Sequence, residues 1–385
     1  MKIGLIGAGR LGLCLTLLIE DAGYDVLASD IRPDYVNNLN EKKYNGSEPD
    51  VNYYLEKANN IHFTTDNIRV ISECDIIFTL VATPSLEDGS YDVSAVWKVV
   101  EDFKTASKET EVFNKSLVIG CTTNPGNCDE IREHLSADPD TFGVNVFYNP
   151  EFIAQGTIIK DLQNADTVLI CGDKFITEHL HGTVLKQIYK QIQFGYNFNP
   201  SLHYMSTKAG EIVKIAINTF LTTKISYANT IGQVLALSDL DDEIDSVLEA
   251  IGNDSRIGNK YLKFGFGFGG PCFPRDNRAF ASYANQVWVE FNIGQTTEDF
   301  NNQHAKFLFS YFVKKNDKNL PFVFPSVAYK RGTDIIEESQ QYRLCLDLLN
   351  AGHTVHVLDD SLKDICDDRI IYSKPTGYFF NIDLW

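Results

Sequence analysis

Short apolar runs alternate with longer amphipathic stretches through the first half of this chain. The runs lie at Lys2 to Ile6, Val26 to Ala28, Asp75 to Val81, Leu117 to Gly120, Val144 to Phe147 and Thr167 to Ile170. Such runs read as strands buried on both faces, and the stretches between them as covering helices, which predicts a parallel sheet. From Lys208 to Leu237 the pattern becomes one uninterrupted helical repeat without proline, carried by Ile212, Val213, Ile215, Ala216, Thr219, Phe220 and Thr223. This predicts a single long helix that links two domains and is buried against a second subunit. After Asn319 the chain returns to strand (Pro321 to Phe324), helix (Ser339 to Leu349, stopped by Gly352) and strand (Thr354 to Leu358). The predicted fold class is α/β, with a large unit over 1–200, a central helical region over 201–300 and a short C-terminal α/β unit over 301–385.

The first strand runs directly into Gly7-Ala8-Gly9-Arg10-Leu11-Gly12, and a helix from Leu13 to Ile19 follows. Strand, glycine turn and helix in that order are the context of a dinucleotide fingerprint. Gly7 allows the turn, Gly9 lets backbone approach a pyrophosphate, and Gly12 lets the helix pack close to the strand. The N-terminal unit is therefore predicted to be a Rossmann-like doubly wound sheet. Asp30 ends the second strand, where a carboxylate accepts from both ribose hydroxyls and repels a 2′-phosphate, so NAD is favoured over NADP. Arg32, two residues on, is the one feature that reads the other way. Ligands of open α/β sheets lie beyond the carboxyl ends of the strands, which places Thr83 and Thr122 at the cofactor cleft.

The length of 385 residues allows two or three domains with substantial cores. A net charge of −18, with no long basic run, argues against a nucleic-acid surface. It leaves an anionic substrate open, because local N–H groups and a few cations decide that. No apolar run is long enough to span a membrane, and the N-terminus enters a strand at once with no visible secretory signal. Eight cysteines are scattered without CxxC spacing, which suits a reducing cytosol and a cytoplasmic protein. The eight histidines form no metal pattern.

The densest chemistry lies at Phe264-Gly265-Phe266-Gly267-Phe268-Gly269-Gly270-Pro271-Cys272-Phe273-Pro274-Arg275-Asp276. Main chain this bare approaches a ligand closely, and a thiol held in it is open to a substrate carbon. A carboxylate follows one helical turn later. Free cysteine is otherwise a small hydrophobe in a core. On the long helix, Lys214 and Asn218 sit four apart on one face among apolar neighbours.

Six motifs in order resemble the UDP-glucose/GDP-mannose dehydrogenase family. They are the N-terminal glycine turn, Val81-Ala82-Thr83-Pro84, Asn149-Pro150-Glu151-Phe152, Lys214 with Asn218, the glycine–cysteine stretch, and Tyr329-Lys330-Arg331-Gly332-Thr333-Asp334. The resemblance runs from Met1 to about Asp359, and Gly-Gly-Pro-Cys-Phe-Pro reads closest to the UDP-glucose-oxidising branch. It implies a four-electron oxidation of a sugar-nucleotide primary alcohol to a carboxylate with two NAD, through a cysteine thiohemiacetal and thioester. It further implies that Cys272 is the nucleophile, that Lys214 and Asn218 steady charge on the reacting oxygen, and that Asp276 and Thr122 position and activate a water. Glu151 would act as acid or base in thioester hydrolysis. Arg10, Leu11, Gln155 and Arg275 would join the glycines, Asp30, Thr83 and Thr122 around NAD. Phe152, Lys214, Asn218, Phe264, Phe266, Gly269 and Lys330 would line the UDP-sugar site, with Arg256 donated across a homodimer interface.

Departures from the pattern qualify what is implied. Arg275 stands for a lysine, Gln155 for a glutamate, Asn124 for a proline, and Glu337 for an arginine in an Arg-Glu-Ser motif. The third domain is also some tens of residues shorter than the pattern, which puts its normal closure in question. Three other readings remain: the same mechanism on GDP-mannose or a UDP-N-acetyl-hexosamine, a two-electron hydroxyacid dehydrogenase, and an NAD-binding protein without turnover.

Overall fold

The computed structural model describes residues 1–194 and 201–384, and the chain forms two compact units, Met1–Lys214 and Ile215–Trp385. The sequence-predicted boundary at residue 200 lies outside the described residues.

The first unit is built on an eight-stranded sheet. Its strands are β1 (Lys2–Ile6), β2 (Asp25–Ser29), β3 (Ile61–Thr64), β4 (Ile76–Thr79), β5 (Ser116–Ile119), β6 (Asn145–Tyr148), β7 (Thr167–Cys171) and β8 (Ser201–Met205). Their order is β3-β2-β1-β4-β5-β6-β7-β8. The chain winds outward from β1 in one direction and from β4 in the other, so the topological switch falls between them. Pairing is parallel except at one junction. There the sequence expectation of a parallel run through Thr167–Ile170 is corrected: β7 meets β6 antiparallel, through the single register pair Tyr148↔Cys171. Apolar patterning marks a strand as buried but carries no direction, so the reversal leaves no trace in it.

Both faces of this sheet are covered. One core holds Ile3, Leu5, Leu15, Ile19, Phe78 and Phe147, and the other holds Ile77, Val100, Phe103, Leu117, Ile131 and Val146. The alternation of Leu5 and Ile6, or Ile77 and Phe78, between the two cores is the period-2 consequence of a strand buried on both sides. The long helix, Thr207–Ala236, follows β8. Its N-terminal turns belong to the first unit, where buried Glu211 accepts from Thr123 Oγ1 (2.8 Å) and the Cys128 amide (3.0 Å). That carboxylate satisfies backbone donors at the start of the helix Asn127–Ala137, which no side chain at its N-cap does.

The second unit contains the rest of the long helix and the helices Ile244–Gly252, Phe273–Gln286, Ile293–Lys315 and Gln340–Asn350. Three short strands, β9 (Phe322–Phe324), β10 (Val355–Val357) and β11 (Phe380–Asn381), pair in parallel in the order β10-β9-β11. This is the one βαβ unit expected from sequence, with the following tail adding β11 on the far side of β9. Phe312, Phe322, Phe324, Leu344, Leu348 and Val357 form its core.

Candidate active site

In the first unit the glycine turn sits beyond the carboxyl end of β1, beside the switch point. Gly7 has φ +98° and donates to Ser29 O (2.9 Å). A Cβ on Gly12 would lie 2.0 Å from Gly7 O, whereas one on Gly9 would meet nothing within 4 Å. Gly12 is thus a packing glycine, and Gly9 borders open space at the start of the helix Arg10–Asp21. No side chain caps that helix, so its first N–H groups and dipole suit a pyrophosphate. Asp30 follows β2, with both oxygens held by Arg32 at 2.8 and 3.0 Å, and the Arg32 guanidinium lies 4.0 Å from the Tyr35 ring centre. The arginine that would receive a 2′-phosphate is engaged by the carboxylate that repels one. Thr83 and Thr122, both buried, follow β4 and β5 at the same edge. Arg10 donates to Gln155 Oε1 (3.0 Å), and Glu48 accepts from the Gly156 amide (2.8 Å), so the loop after β6 is tied to the glycine turn.

Glu151 and Phe152 open that loop. The Lys214 ammonium donates to the Glu151 backbone carbonyl (3.0 Å) and lies 5.0 Å from the Phe152 ring centre. The Glu151 carboxyl is buried against Tyr189, whose hydroxyl is also 2.7 Å from Asn149 Oδ1. Burial pushes this carboxyl up to about 7, against the opposing Lys214 charge.

In the second unit Cys272 occupies the N-cap of the helix Phe273–Gln286 and is partly exposed. A thiolate is favoured at that end of a helix. Asp276 lies one turn on, buried, with Oδ2 accepting from Asn218 Nδ2 at 2.6 Å. The Arg275 guanidinium is 4.0 Å from the other oxygen of Asp276.

The loop before Cys272 is held by residues far away in sequence. Asn229 Oδ1 accepts from the Gly265 amide (2.9 Å), Asn301 donates to Phe268 O (2.9 Å), and His304 Nε2 donates to Gly265 O (2.7 Å). The Gly270 amide donates to Glu337 O (3.1 Å), and a Cβ on Gly269 would lie 2.4 Å from Glu338 O. Glu337 therefore serves this loop through its backbone. Phe264 is buried and edge-on to His304, while Phe266 packs at the edge of the core and Lys330 is half-buried. Arg256 lies on an exposed turn where it forks onto Asp254 (2.9 and 2.7 Å). Tyr189, Asn229, Asn301 and His304 escape a sequence reading because each sits at core spacing on a helix.

A family model described as the NAD binding domain of the UDP-glucose/GDP-mannose dehydrogenase family matches residues 1–193, and its central-domain model matches 208–303. The chain belongs to this family. It carries an NAD-binding domain, and the glycine turn with Asp30 fits that cofactor. A UDP-glucose 6-dehydrogenase of Pseudomonas aeruginosa is 30% identical over 366 residues, covering 93% of this chain and 79% of that protein. One from Drosophila melanogaster is 29% identical over 392 residues, covering 96% and 79%. Among solved structures, a UDP-glucose dehydrogenase from Pyrobaculum islandicum superposes with a TM-score of 0.85 at 24% identity, covering 97% of this chain and 86% of that one. A UDP-D-ManNAc dehydrogenase from Pyrococcus horikoshii superposes with 0.76 at 20% identity, covering 93% and 84%. These likenesses establish the fold of a nucleotide-sugar dehydrogenase. No helix among the described residues is long and apolar enough to cross a membrane.

Proposed function

We propose that the protein oxidises UDP-glucose to UDP-glucuronate in two successive two-electron steps through a covalent intermediate on Cys272. The observation that carries the reading is a thiol at a helix N-terminus in a glycine loop, with the paired Asn218 and Asp276 one turn along. NAD, when bound, supplies the electron acceptor for each oxidation, two NAD per sugar. Gly7, Gly9, Arg10, Leu11, Gly12, Asp30, Thr83, Gln155 and Arg275 hold it.

The first oxidation turns the C6 alcohol into an aldehyde, the hydroxyl proton passing to a water held by Asp276 and Thr122. Lys214 and Asn218 steady the negative charge on the C6 oxygen, a task worth about 3–4 kcal/mol of barrier. The Cys272 sulfur adds to the aldehyde carbon, and the oxygen takes a proton to give a thiohemiacetal. The second oxidation leaves a thioester. Asp276 and Thr122 position a water, Asp276 accepts its proton, the C–S bond breaks, and the thiol is restored as the carboxylate leaves. Glu151 supplies and reclaims a proton in that hydrolysis. Phe152, Phe264, Phe266, Gly269 and Lys330 contact the sugar nucleotide.

Glucose is preferred over mannose or an N-acetyl-hexosamine because the Gly-Gly-Pro-Cys-Phe-Pro loop reads closest to that branch, and relatives at about 30% identity bear that name. A homodimer with Arg256 reaching the partner's substrate completes the proposal. Phe220, Tyr227 and Val234, exposed at intervals of one heptad on the long helix, support a helix-to-helix contact. The test is NADH production with UDP-glucose, GDP-mannose and the UDP-N-acetyl-hexosamines, with the product identified by mass. UDP-glucose should give the highest kcat/KM and a uronate. A faster reaction with another sugar nucleotide would reassign the substrate.

A further inference from the structure

We propose that Tyr189 and Asn149 hold Glu151 protonated at rest, through a chain of hydrogen-bond directions that starts at the backbone carbonyl of Leu169. The catalytic consequence rests on the role given to Glu151 above; the chain itself does not.

Leu169 O can only accept, and Asn149 lies 2.6 Å away through its amide nitrogen. Turning the Asn149 amide over would set two acceptors face to face at that distance in a buried site, so the carbonyl fixes the amide's orientation. Asn149 Oδ1 then faces the Tyr189 hydroxyl at 2.7 Å and must accept from it. Tyr189 has a single proton for two acceptors, Asn149 Oδ1 and Glu151 Oε1, so the three oxygens need a second proton, and the carboxyl is the group that can carry it. What Tyr189 turns toward Glu151 is therefore a lone pair, although Glu151 Oε1 is within hydrogen-bonding distance. A carboxylate there would confront an acceptor in a dry site. A protonated carboxyl satisfies it by donating.

Asn149 and Tyr189 are each 1% exposed and Glu151 is 8% exposed, so bulk water does not supply the missing donor. The titratable groups facing Glu151 are Tyr189, from the helix Leu180–Phe194, and Lys214, from the long helix. Lys214 spends a proton on the Glu151 backbone carbonyl, not on its carboxyl. A Tyr189 proton turned toward Glu151 would favour the charged form; the Asn149 acceptor prevents that. Because the chain ends on a backbone carbonyl, it cannot carry a proton away. It holds one, and Glu151 is a resting acid that gives up its proton toward the cleft and recovers it there. Tyr189 and Asn149 are positioning residues.

The test is infrared difference spectroscopy of the full-length protein, wild type minus Glu151→Gln, across a pH titration. A protonated-carboxyl band assigned to Glu151 should be present below neutral pH and titrate near 7. In Tyr189→Phe, whose thermal midpoint checks folding, the band should move to higher frequency and its titration should fall by about one pH unit. Absence of the band in the wild type at pH 6 overturns the proposal without reference to any variant. A titration that rises in Tyr189→Phe also overturns it, since Tyr189 would then have been donating. If the spectra behave as expected but Glu151→Gln oxidises UDP-glucose at the wild-type rate, the proton chain stands and the hydrolytic role of Glu151 falls.

Discussion

Replacing Gly12 by alanine separates the two jobs of the N-terminal glycine turn. The new Cβ would lie 2.0 Å from Gly7 O, 3.0 Å from Gly7 C and 3.2 Å from Leu5 Cδ2, and real Cβ atoms essentially never come within 3.0 Å of such neighbours. Both clashing partners belong to β1 and its turn, so the helix Arg10–Asp21 must move off the sheet by about 1 Å. Overpacking of this kind costs about 1–3 kcal/mol, and better helix propensity returns about 1 kcal/mol of that. A net loss of ~1 kcal/mol lowers the melting midpoint of a unit this size by about 2–4 °C. The larger effect is on the cofactor, because the displaced N–H groups are the ones expected to meet the pyrophosphate, and losing one hydrogen bond to a charged phosphate weakens binding by about 1.5–3 kcal/mol, roughly 10- to 100-fold. Gly9→Ala is the control. Its Cβ meets nothing within 4 Å and its φ of −67° suits alanine, so the apo protein should melt within about 2 °C of wild type. NAD binding should still weaken, because the methyl occupies the approach to the pyrophosphate. The assays are thermal melting of apo protein and calorimetric titration with NAD. Wild-type affinity in both variants would refute the placement of the cofactor on this turn.

Cys272→Ala should abolish uronate formation while NAD affinity stays within about twofold, read by product mass and calorimetry; unchanged turnover would point to the two-electron reading. Asn218→Asp places a second carboxylate 2.6 Å from Asp276, so one proton should be shared, and kcat should fall by at least about 100-fold at pH 7 and partly recover in more acidic buffer. His304 is buried and stays neutral, its pKa pressed down to about 4 by burial. Since the unfolded chain binds that proton near 6.5, stability is lost as pH falls from about 6.5 toward 4, and His304→Gln should flatten this limb in urea unfolding. Glu151 runs the other way. Its raised pKa means stability declines as pH rises from the ordinary carboxyl range to about 7, so Glu151→Gln should gain on wild type at pH 8 but not at pH 5.

The N-terminal turn was legible because its constraint is local: strand, glycine spacing, helix and Asp30 lie within one βαβ unit. Cys272, Asp276, Lys214 and Asn218 were legible as residue types in an unusual setting. What supports them was not. Glu211 interrupts an apolar helix face and reads as a solvent residue, yet it is buried on the amides of a loop from another strand. Tyr189 and His304 fit core spacing, and nothing in a helical period distinguishes a packed ring from one whose polar atom fixes a neighbour. The antiparallel β7 was illegible for the same reason, because pairing direction is decided by chain geometry between strands. Arg32 carried an ambiguity that only its side-chain geometry removes, through the fork onto Asp30.

Two-step oxidation through Cys272 is tested most directly by stoichiometry. Limiting UDP-glucose should be consumed with release of two NADH per sugar, and Glu151→Gln quenched during turnover should carry a sugar-nucleotide mass on the peptide containing Cys272. One NADH per sugar, with that peptide unmodified, would contradict the account.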